Sequence, residues 1–422
     1  MDPGLPFLDR RACARGGNSP GSLNLPSARQ TPSLKFPSCG PLATGRIRKV
    51  VFGPGPQPEG PKANVNGANV TKERAITLNR EGASMRALIT GGTGFLGANL
   101  AAYLRQQGWT VRILRRATSS LEAVKDLDVE HAIGDVLDPD SLYPAMVGCD
   151  VVFHTAAISA YWRTPAEQIL RVNVEGTRNV LAAAREMAIR RVVLTSSLAA
   201  LGVPEPGTLL TEDHPYNLPP GRFLYGYSKA MAEAIARIFV EQGLEVVIVN
   251  PSVILGPRDI HRISGSLILE MARRRVPALP PGGVNVVAVE DVARGHVLAL
   301  ERGRPGERYI LGGENLTYRE LAEQIAAVVG VPVPRRVLSP WAVKGLAALA
   351  RIANTLGLAL PVGADQLWLS AHLIWCDGRK AEAELGYRPE VPVREAIRRA
   401  WEWYQAAGRA LEVLPGKATA PS

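Results

Sequence analysis

The tightest constraint on the fold lies where an apolar run, Arg86–Thr90, breaks straight into Gly91-Gly92-Thr93-Gly94-Phe95-Leu96-Gly97 and on into a helical stretch. Glycines spaced by three (Gly91, Gly94, Gly97) permit a tight turn and let a bulky anion come up against the backbone. The helix that follows aims its unpaired N–H groups and positive dipole end at the same place. Strand, turn and helix in succession form a seat for a pyrophosphate, completed by the backbone of Thr93, Phe95 and Leu96.

From Met85 onward the same rhythm continues. Short apolar runs at Arg86–Thr90, Thr110–Arg115, Val129–Ile133, Val151–His154, Val192–Ser196 and Glu245–Asn250 alternate with helical stretches. The helical stretches are Gly97–Gln107, Asp140–Met146, Pro165–Met187 and Tyr225–Gln242. Apolar runs without polar alternation are strands buried on both faces, and strand–helix repetition builds a parallel sheet. The sequence predicts an α/β chain with a doubly wound parallel sheet, a Rossmann fold, over residues 85–255. After about residue 256 the rhythm loosens, as expected of a smaller substrate-binding lobe over 256–408 with some elements returning to the first part. Residues 409–422 read as a flexible tail.

Residues 1–84 differ from the rest: 11 Pro and 11 Gly with no sustained periodicity. Such composition buries too little apolar surface to offset the entropy of ordering. The segment is expected to be disordered, or an extension to a protein whose own start is Met85. It lacks the apolar core of a secretory signal, and Asp2, Asp9 and the prolines argue against a transit peptide. It holds 12 Lys/Arg against 5 Asp/Glu, so +7 of the chain's formal +10 lies there and +3 remains elsewhere. That distribution argues against a nucleic-acid partner. Cys13, Cys39, Cys149 and Cys376 are scattered, which fits reduced thiols in a cytoplasmic protein and neither a disulfide framework nor a metal site. No apolar run reaches the roughly 18 residues of a membrane span. The most hydrophobic helical stretch, Trp341–Leu360, is broken by Lys344 and Arg351. It reads as an amphipathic helix on the core, with peripheral contact to a membrane or a lipid-like substrate as the alternative.

The chemistry concentrates in Tyr225-Gly226-Tyr227-Ser228-Lys229, which sets a phenol and an ammonium one turn apart on one helix face. A phenol with a pKa of about 10 is a poor acid/base at neutral pH, and a neighbouring ammonium draws it towards the working range. About 30 residues earlier, Thr195-Ser196-Ser197 closes the fifth apolar run. The second run ends in Arg115-Arg116, where an acidic residue would bind an adenosine ribose and repel a 2′-phosphate. Two guanidinium groups suit that phosphate instead, which favours NADP(H) over NAD(H) with Arg116 as the preferred contact.

Together these motifs resemble the extended (atypical) short-chain dehydrogenase/reductases, the NAD-dependent epimerase/dehydratase family, from about Met85 to Tyr404. Val289-Glu290-Asp291-Val292-Ala293 and Gly306–Gly313 resemble its dihydroflavonol 4-reductase-like branch, nearest to the hopanoid-associated sugar epimerase proteins. The resemblance implies that Asp135, with Val136 beside it, meets the adenine, and that Thr155, Ala156 and Ala157 line the cofactor. It implies that Asn173 orders the site, that Ser197, with Ser196 as fallback, orients the substrate oxygen, and that Tyr225 and Lys229 touch the cofactor as well. Pro251, Ser252 and Val253 would abut nicotinamide and substrate. His154 reads as a core or cofactor-wall histidine. A homodimer fits the resemblance. Sugar-nucleotide members often carry Arg-Pro where this chain has Asn250-Pro251, which weighs against a standard nucleotide sugar.

The expected activity is reversible hydride transfer to a carbonyl or alcohol carbon of a small molecule, with Tyr225 as acid/base and net ketone reduction the first reading. A sugar epimerase or dehydratase, which oxidises and re-reduces one substrate, is the alternative. A non-catalytic cofactor-sensing protein is the third reading, though it could dispense with the tyrosine that this chain keeps. Tyr161, Trp162, Tyr216 and Phe223, in or beside the segments that would shape the pocket, point to an apolar or ring-bearing substrate.

Overall fold

The computed structural model describes residues 84–160, 164–355 and 363–409. The N-terminal segment up to residue 83, the tail from 410, and Tyr161 and Trp162 lie outside these. The first part runs β1 (Arg86–Thr90), α1 (Phe95–Gln106), β2 (Thr110–Arg115), β3 (Glu130–Ile133), α2 (Leu142–Met146) and β4 (Val151–His154). It continues through α3 (Ala166–Leu170), α4 (Gly176–Glu186), β5 (Arg191–Thr195), α5 (Leu224–Glu241) and β6 (Val246–Pro251). The predicted helix Pro165–Met187 thus forms from Ala166 to Glu186, with a wider segment in its middle. Between α3 and α4 a wide π-type turn, Arg171–Glu175, carries Asn173 inward.

The remainder comprises β7 (Val253–Leu255), α6 (Ser266–Ala272), β8 (Gly283–Ala288), α7 (Val289–Arg302), β9 (Arg308–Leu311), β10 (Glu314–Thr317) and α8 (Tyr318–Val329). It ends with α9 (Pro340–Thr355), α10 (Ala364–Leu369), β11 (Leu373–Ile374), α11 (Arg379–Leu385) and α12 (Val393–Ala406).

One sheet has the order β3-β2-β1-β4-β5-β6-β9, parallel throughout. Its central strands β1, β4, β5 and β6 are buried on both faces, as their apolar runs require, while β3 at the edge leaves His131 and Ile133 exposed. Successive side chains alternate between two cores. Ala87, Ile89, Phe153, Val193, Val247 and Val249 pack on one face with α1, α7 and α11. Leu88, Val152, Val192, Leu194, Val246 and Ile248 pack on the other with α2, α4 and α5. The seventh strand, β9, is only four residues long and comes from the part of the sequence where the rhythm loosens. It pairs with β6 in register Ile248–Arg308 to Pro251–Leu311.

The second sheet is built on β8, with β10 antiparallel along one edge and β7 and β11 parallel along the other. Its core of Leu269, Met271, Leu316, Leu321, Ile325, Ile397 and Tyr404 lies against α6, α8 and α12. Tyr404 donates to Asp259 at 2.9 Å and so fastens α12 to the loop after β7. Helix α9 takes up the start of the amphipathic stretch and buries Val343, Ala347 and Ala350, while Trp341 and Leu349 remain exposed. Residues 356–360 of that stretch lie outside the described residues. Among the described residues no helix is long and apolar enough to cross a membrane.

Candidate active site

The order β3-β2-β1-β4 reverses its direction of winding between β1 and β4, and a crevice opens there at the carboxyl ends of the strands. The glycine turn lies at this point. Gly91 adopts φ +69°, a left-handed conformation that glycine adopts without strain. Gly94 N–H closes the turn on Gly91 O at 2.9 Å. A Cβ on Gly91 would sit 2.8 Å from Ala156 Cα, and one on Gly97 would sit 2.4 Å from Gly91 O. A fourth glycine, Gly92, is equally confined, because its Cβ would meet Ile113 at 2.4 Å. The turn is thus pressed between β2 and the segment after β4, and α1 begins at Phe95 with Thr93, Gly94 and Leu96 partly open at its entrance.

Polar groups knit the strand ends beneath this turn. Thr155 Oγ1 donates to Thr90 O at 2.7 Å, and Ala156 N–H donates to Thr90 Oγ1 at 3.3 Å. His154 is fully buried, with Nδ1 2.7 Å from Thr90 Oγ1 and Nε2 3.0 Å from Thr177 Oγ1. Thr177 spends its own proton on Asn173 O, so His154 donates through Nε2 and accepts at Nδ1. Burial, aided by Lys229, pushes the His154 pKa down to about 3, so the ring is neutral and structural. Ala157 continues the partly open segment after β4.

After β3, Asp135 turns its carboxylate back to accept from Leu137 N–H at 3.0 Å. Val136 is buried and packs where Gly176 has no side chain. Arg115 donates from Nε to His131 at 3.1 Å, while Arg116 is exposed at the end of β2. The second arginine of the pair is the one open to a ligand.

The serines, Tyr225 and Lys229 are placed by β5 and α5. Ser197 follows β5 in extended backbone, and the side chains of Ser197 and Tyr225 hydrogen-bond to each other. Ser196 is withdrawn, because its hydroxyl donates to buried Glu233 at 2.5 Å. The geometry distinguishes the two serines cleanly. Burial raises the Tyr225 pKa and the Ser197 bond lowers it, with a net rise above the ordinary phenol value. The sequence argument expected the Lys229 ammonium to pull that pKa down. In the structure Lys229 Nζ instead donates to Thr195 O at 2.9 Å, and burial lowers its own pKa to about 8. Desolvation therefore outweighs the pairing for both groups.

Asn173 is buried and bridges three pieces: it accepts from Ile158 N–H at 2.7 Å and donates to Ile158 O at 3.2 Å and Ser228 Oγ at 3.0 Å. Ser228 in turn donates to Tyr225 O at 2.7 Å. The aromatic residues Tyr216 and Phe223 are engaged in packing. Tyr216 donates to Phe223 O at 2.8 Å, and the Phe223 and Tyr225 ring centroids are 6.1 Å apart.

Three residues that sequence reasoning missed hold this arrangement from below. Glu233 Oε1 accepts from Ser196 and from Asn250 Nδ2 at 2.7 Å, and Oε2 pairs with Arg308 at 3.2 Å. Asn250 Nδ2 also donates to Ser197 O at 3.0 Å, which explains an asparagine before Pro251 without recourse to substrate. His296, neutral with its pKa pushed down to about 4 by burial, donates to Val292 O and accepts from Thr195 Oγ1. The signal for Glu233 was present: Tyr225, Lys229 and Glu233 recur every fourth residue on one face of α5.

Lys229 makes stability depend on pH. Its folded pKa of about 8 lies below the ordinary 10.5, so between these values the unfolded chain binds more protons than the folded one. Without bound dinucleotide, stability should rise from about pH 8 to about pH 10.5, at up to about 1.4 kcal/mol per pH unit. Lys229→Met should abolish that rise. Denaturant melts across the interval check it, and an unchanged slope in the variant would refute it.

A dinucleotide fits the crevice on the evidence of its walls. The turn has no room for side chains at Gly91 or Gly97, the arginine end of β2 is open, and two polar atoms at the other end are buried without a partner among the described residues. These are Asn250 Oδ1 and Ser252 Oγ, flanking Pro251 where β6 ends and Val253 begins β7.

Comparisons with known proteins agree with this architecture. Residues 87–312 match the NAD dependent epimerase/dehydratase family. The chain is 38% identical over 328 residues to a putative dihydroflavonol 4-reductase of Synechocystis sp., covering 76% of this chain and 94% of that one. It is 37% identical over 270 residues to sterol demethylase protein B of Methylococcus capsulatus, covering 63% and 81%. The crystal structure of a nucleoside-diphosphate-sugar epimerase from Pseudomonas aeruginosa superposes with a TM-score of 0.65 at 28% identity, covering 78% and 99%. The chain belongs to the NAD-dependent epimerase/dehydratase family and is an NAD(P)-dependent oxidoreductase of the extended short-chain dehydrogenase/reductase type, acting on CH–OH or carbonyl groups.

Proposed function

We propose that the protein is an NADPH-dependent ketone reductase for an apolar, ring-bearing small molecule. The observation that carries the reductive direction is the exposed Arg116 at the end of β2, where no carboxylate stands to repel a 2′-phosphate. Relatives named for dihydroflavonol reduction and sterol demethylation support a ring-bearing substrate. The two described cysteines support a cytoplasmic setting: Cys149 and Cys376 are free thiols, and the Cys376 thiol is pushed up to about 12 by burial.

Bound NADPH would supply the hydride, and the protein's share is placement and proton transfer. Gly91, Thr93, Gly94, Phe95, Leu96 and Gly97 would seat the pyrophosphate. Arg116, with Arg115 behind it, would take the 2′-phosphate. Asp135 and Val136 would border the adenine, and Thr155, Ala156, Ala157, Pro251, Ser252 and Val253 would wall the rest. Ser197 would hydrogen-bond the substrate carbonyl oxygen while Tyr225 donates its proton to that oxygen. Lys229, anchored on Thr195, keeps hydrogens for a ribose hydroxyl and for the phenolate as it forms. Asn173 fixes Ser228 and, through it, the first turn of α5.

Titration of nicotinamide fluorescence tests this. Wild type should prefer NADPH, and Arg116→Ala should weaken NADPH by about tenfold or more while leaving NADH nearly unchanged. Preference for NADH, or NAD that stays bound through purification, would instead support an epimerase or dehydratase.

A further inference from the structure

Helix α9 presents an apolar surface on the side away from the core. Val343, Ala347 and Ala350, spaced by four and three, form the buried face. The outward arc carries Trp341, Gly345, Leu346, Ala348 and Leu349. Trp341 is 83% exposed and Leu349 63%, the highest values for large apolar side chains among the described residues. Lys344 and Arg351, two turns apart, run along one edge between the two faces. Lys344 Nζ lies 5.8 Å from the Trp341 ring centre. Just before the helix, Arg335 and Arg336 are exposed beside the half-exposed Val337. Residues 331–355 carry these four cations and no Asp or Glu. Asp365 of α10 offsets only Arg351, at 3.0 Å.

We propose that this face docks on an anionic lipid surface, with α9 in the headgroup plane, Trp341 and Leu349 inserted, and Arg335, Arg336 and Lys344 meeting phosphates. Charge selects this occupant. A second copy of the chain would set the same cations against each other, and the N-terminal 84 residues are themselves +7. An acidic protein would match in sign. A convex helix with a tryptophan in its first turn and cations along one edge is, however, built to lie in an interface. The docking face also borders the proposed substrate entrance, a consequence that rests on the reading above. α10 packs on α9, its Trp368 ring lies 5.0 Å from the Arg222 guanidinium, and Arg222 is three residues before Tyr225.

The test is sedimentation of the full chain with vesicles of equal parts phosphatidylcholine and phosphatidylglycerol, and with phosphatidylcholine alone. Binding to the mixed vesicles only, weakened by high salt, is expected. Trp341→Ser combined with Leu349→Ser should lower the bound fraction about tenfold or more, and Arg335→Gln with Arg336→Gln should lower it too. NADPH affinity and melting temperature, unchanged in both variants, show that the fold and cofactor site are intact. Undiminished binding in the Trp341/Leu349 variant would assign the lipid contact to the basic N-terminal segment and overturn the proposal. So would failure to bind either vesicle, or a wild-type dimer that the same variant dissociates. None of these outcomes bears on whether the enzyme is a ketone reductase.

Discussion

Replacing Tyr225 by phenylalanine is expected to lower kcat/KM by about 10²- to 10⁴-fold while NADPH affinity and stability stay close to wild type. The ring would remain in place against Phe223, with its centroid near the present 6.1 Å, and only the hydroxyl that bonds to Ser197 would be lost. Because burial raises the phenol pKa, Tyr225 keeps its proton through neutral pH, the state a donor to a carbonyl oxygen requires. Ketone reduction should therefore be insensitive to pH around neutrality and fall only in alkali, whereas alcohol oxidation, which needs the phenolate, should accelerate as pH rises. Single-turnover oxidation of NADPH, with a panel of cyclic ketones and both forms of the enzyme, measures this. Equal rates in wild type and variant would remove Tyr225 from the chemistry.

Gly97→Ala should be the most damaging single-methyl change in the cofactor crevice. The new Cβ would lie 2.4 Å from Gly91 O and 2.9 Å from both Gly91 C and Gly92 Cα. All three are backbone atoms, so no side chain can swing aside, and α1 has to lift away from the turn. Overpacking of this kind costs about 1–3 kcal/mol, and displacement of the turn should reduce dinucleotide affinity by about 100-fold. Gly94→Ala is the informative control. Its Cβ would come no closer than 3.2 Å to Gly91 O, so stability should be nearly retained while the approach of a pyrophosphate is obstructed. Thermal melts paired with NADPH titration separate the two effects. Wild-type affinity in Gly97→Ala would show that the dinucleotide is not seated on this turn.

Much of this architecture was legible because the signals are local. A strand buried on both faces declares itself by an unbroken apolar run, and β1, β2 and β4 fall at the residues the sequence marks. The glycine turn and the spacing of Tyr225 and Lys229 are equally short-range. What the sequence concealed depends on contacts between distant segments. Strand β9 lies where the alternation of strand and helix has loosened, and is defined by pairing with β6. The π-type segment between α3 and α4 accompanies Asn173 reaching Ile158 and Ser228, neither of them close by in the sequence. The protonation tendency of Tyr225 differs from the expectation for a related reason. Spacing along a helix gives proximity, but burial, which only the assembled fold sets, dominates both pKa values.

The position of β9 also constrains the order in which the protein can mature. Arg308 sits at the start of that strand and pairs at 3.2 Å with Glu233, which lies beneath Ser196 and Asn250 and also faces Arg237 at 3.7 Å. When a ribosome has released only the first six strands, β6 is an open edge that invites pairing with other chains. Glu233 then lacks the nearer of its two arginine partners. Ser197 and Tyr225 are already synthesised at that stage, yet the platform under them is finished only after residue 311 emerges. A fragment ending near residue 255 should therefore be prone to aggregate, and the residues after β6 cannot be exchanged as a detachable cassette without carrying β9 along.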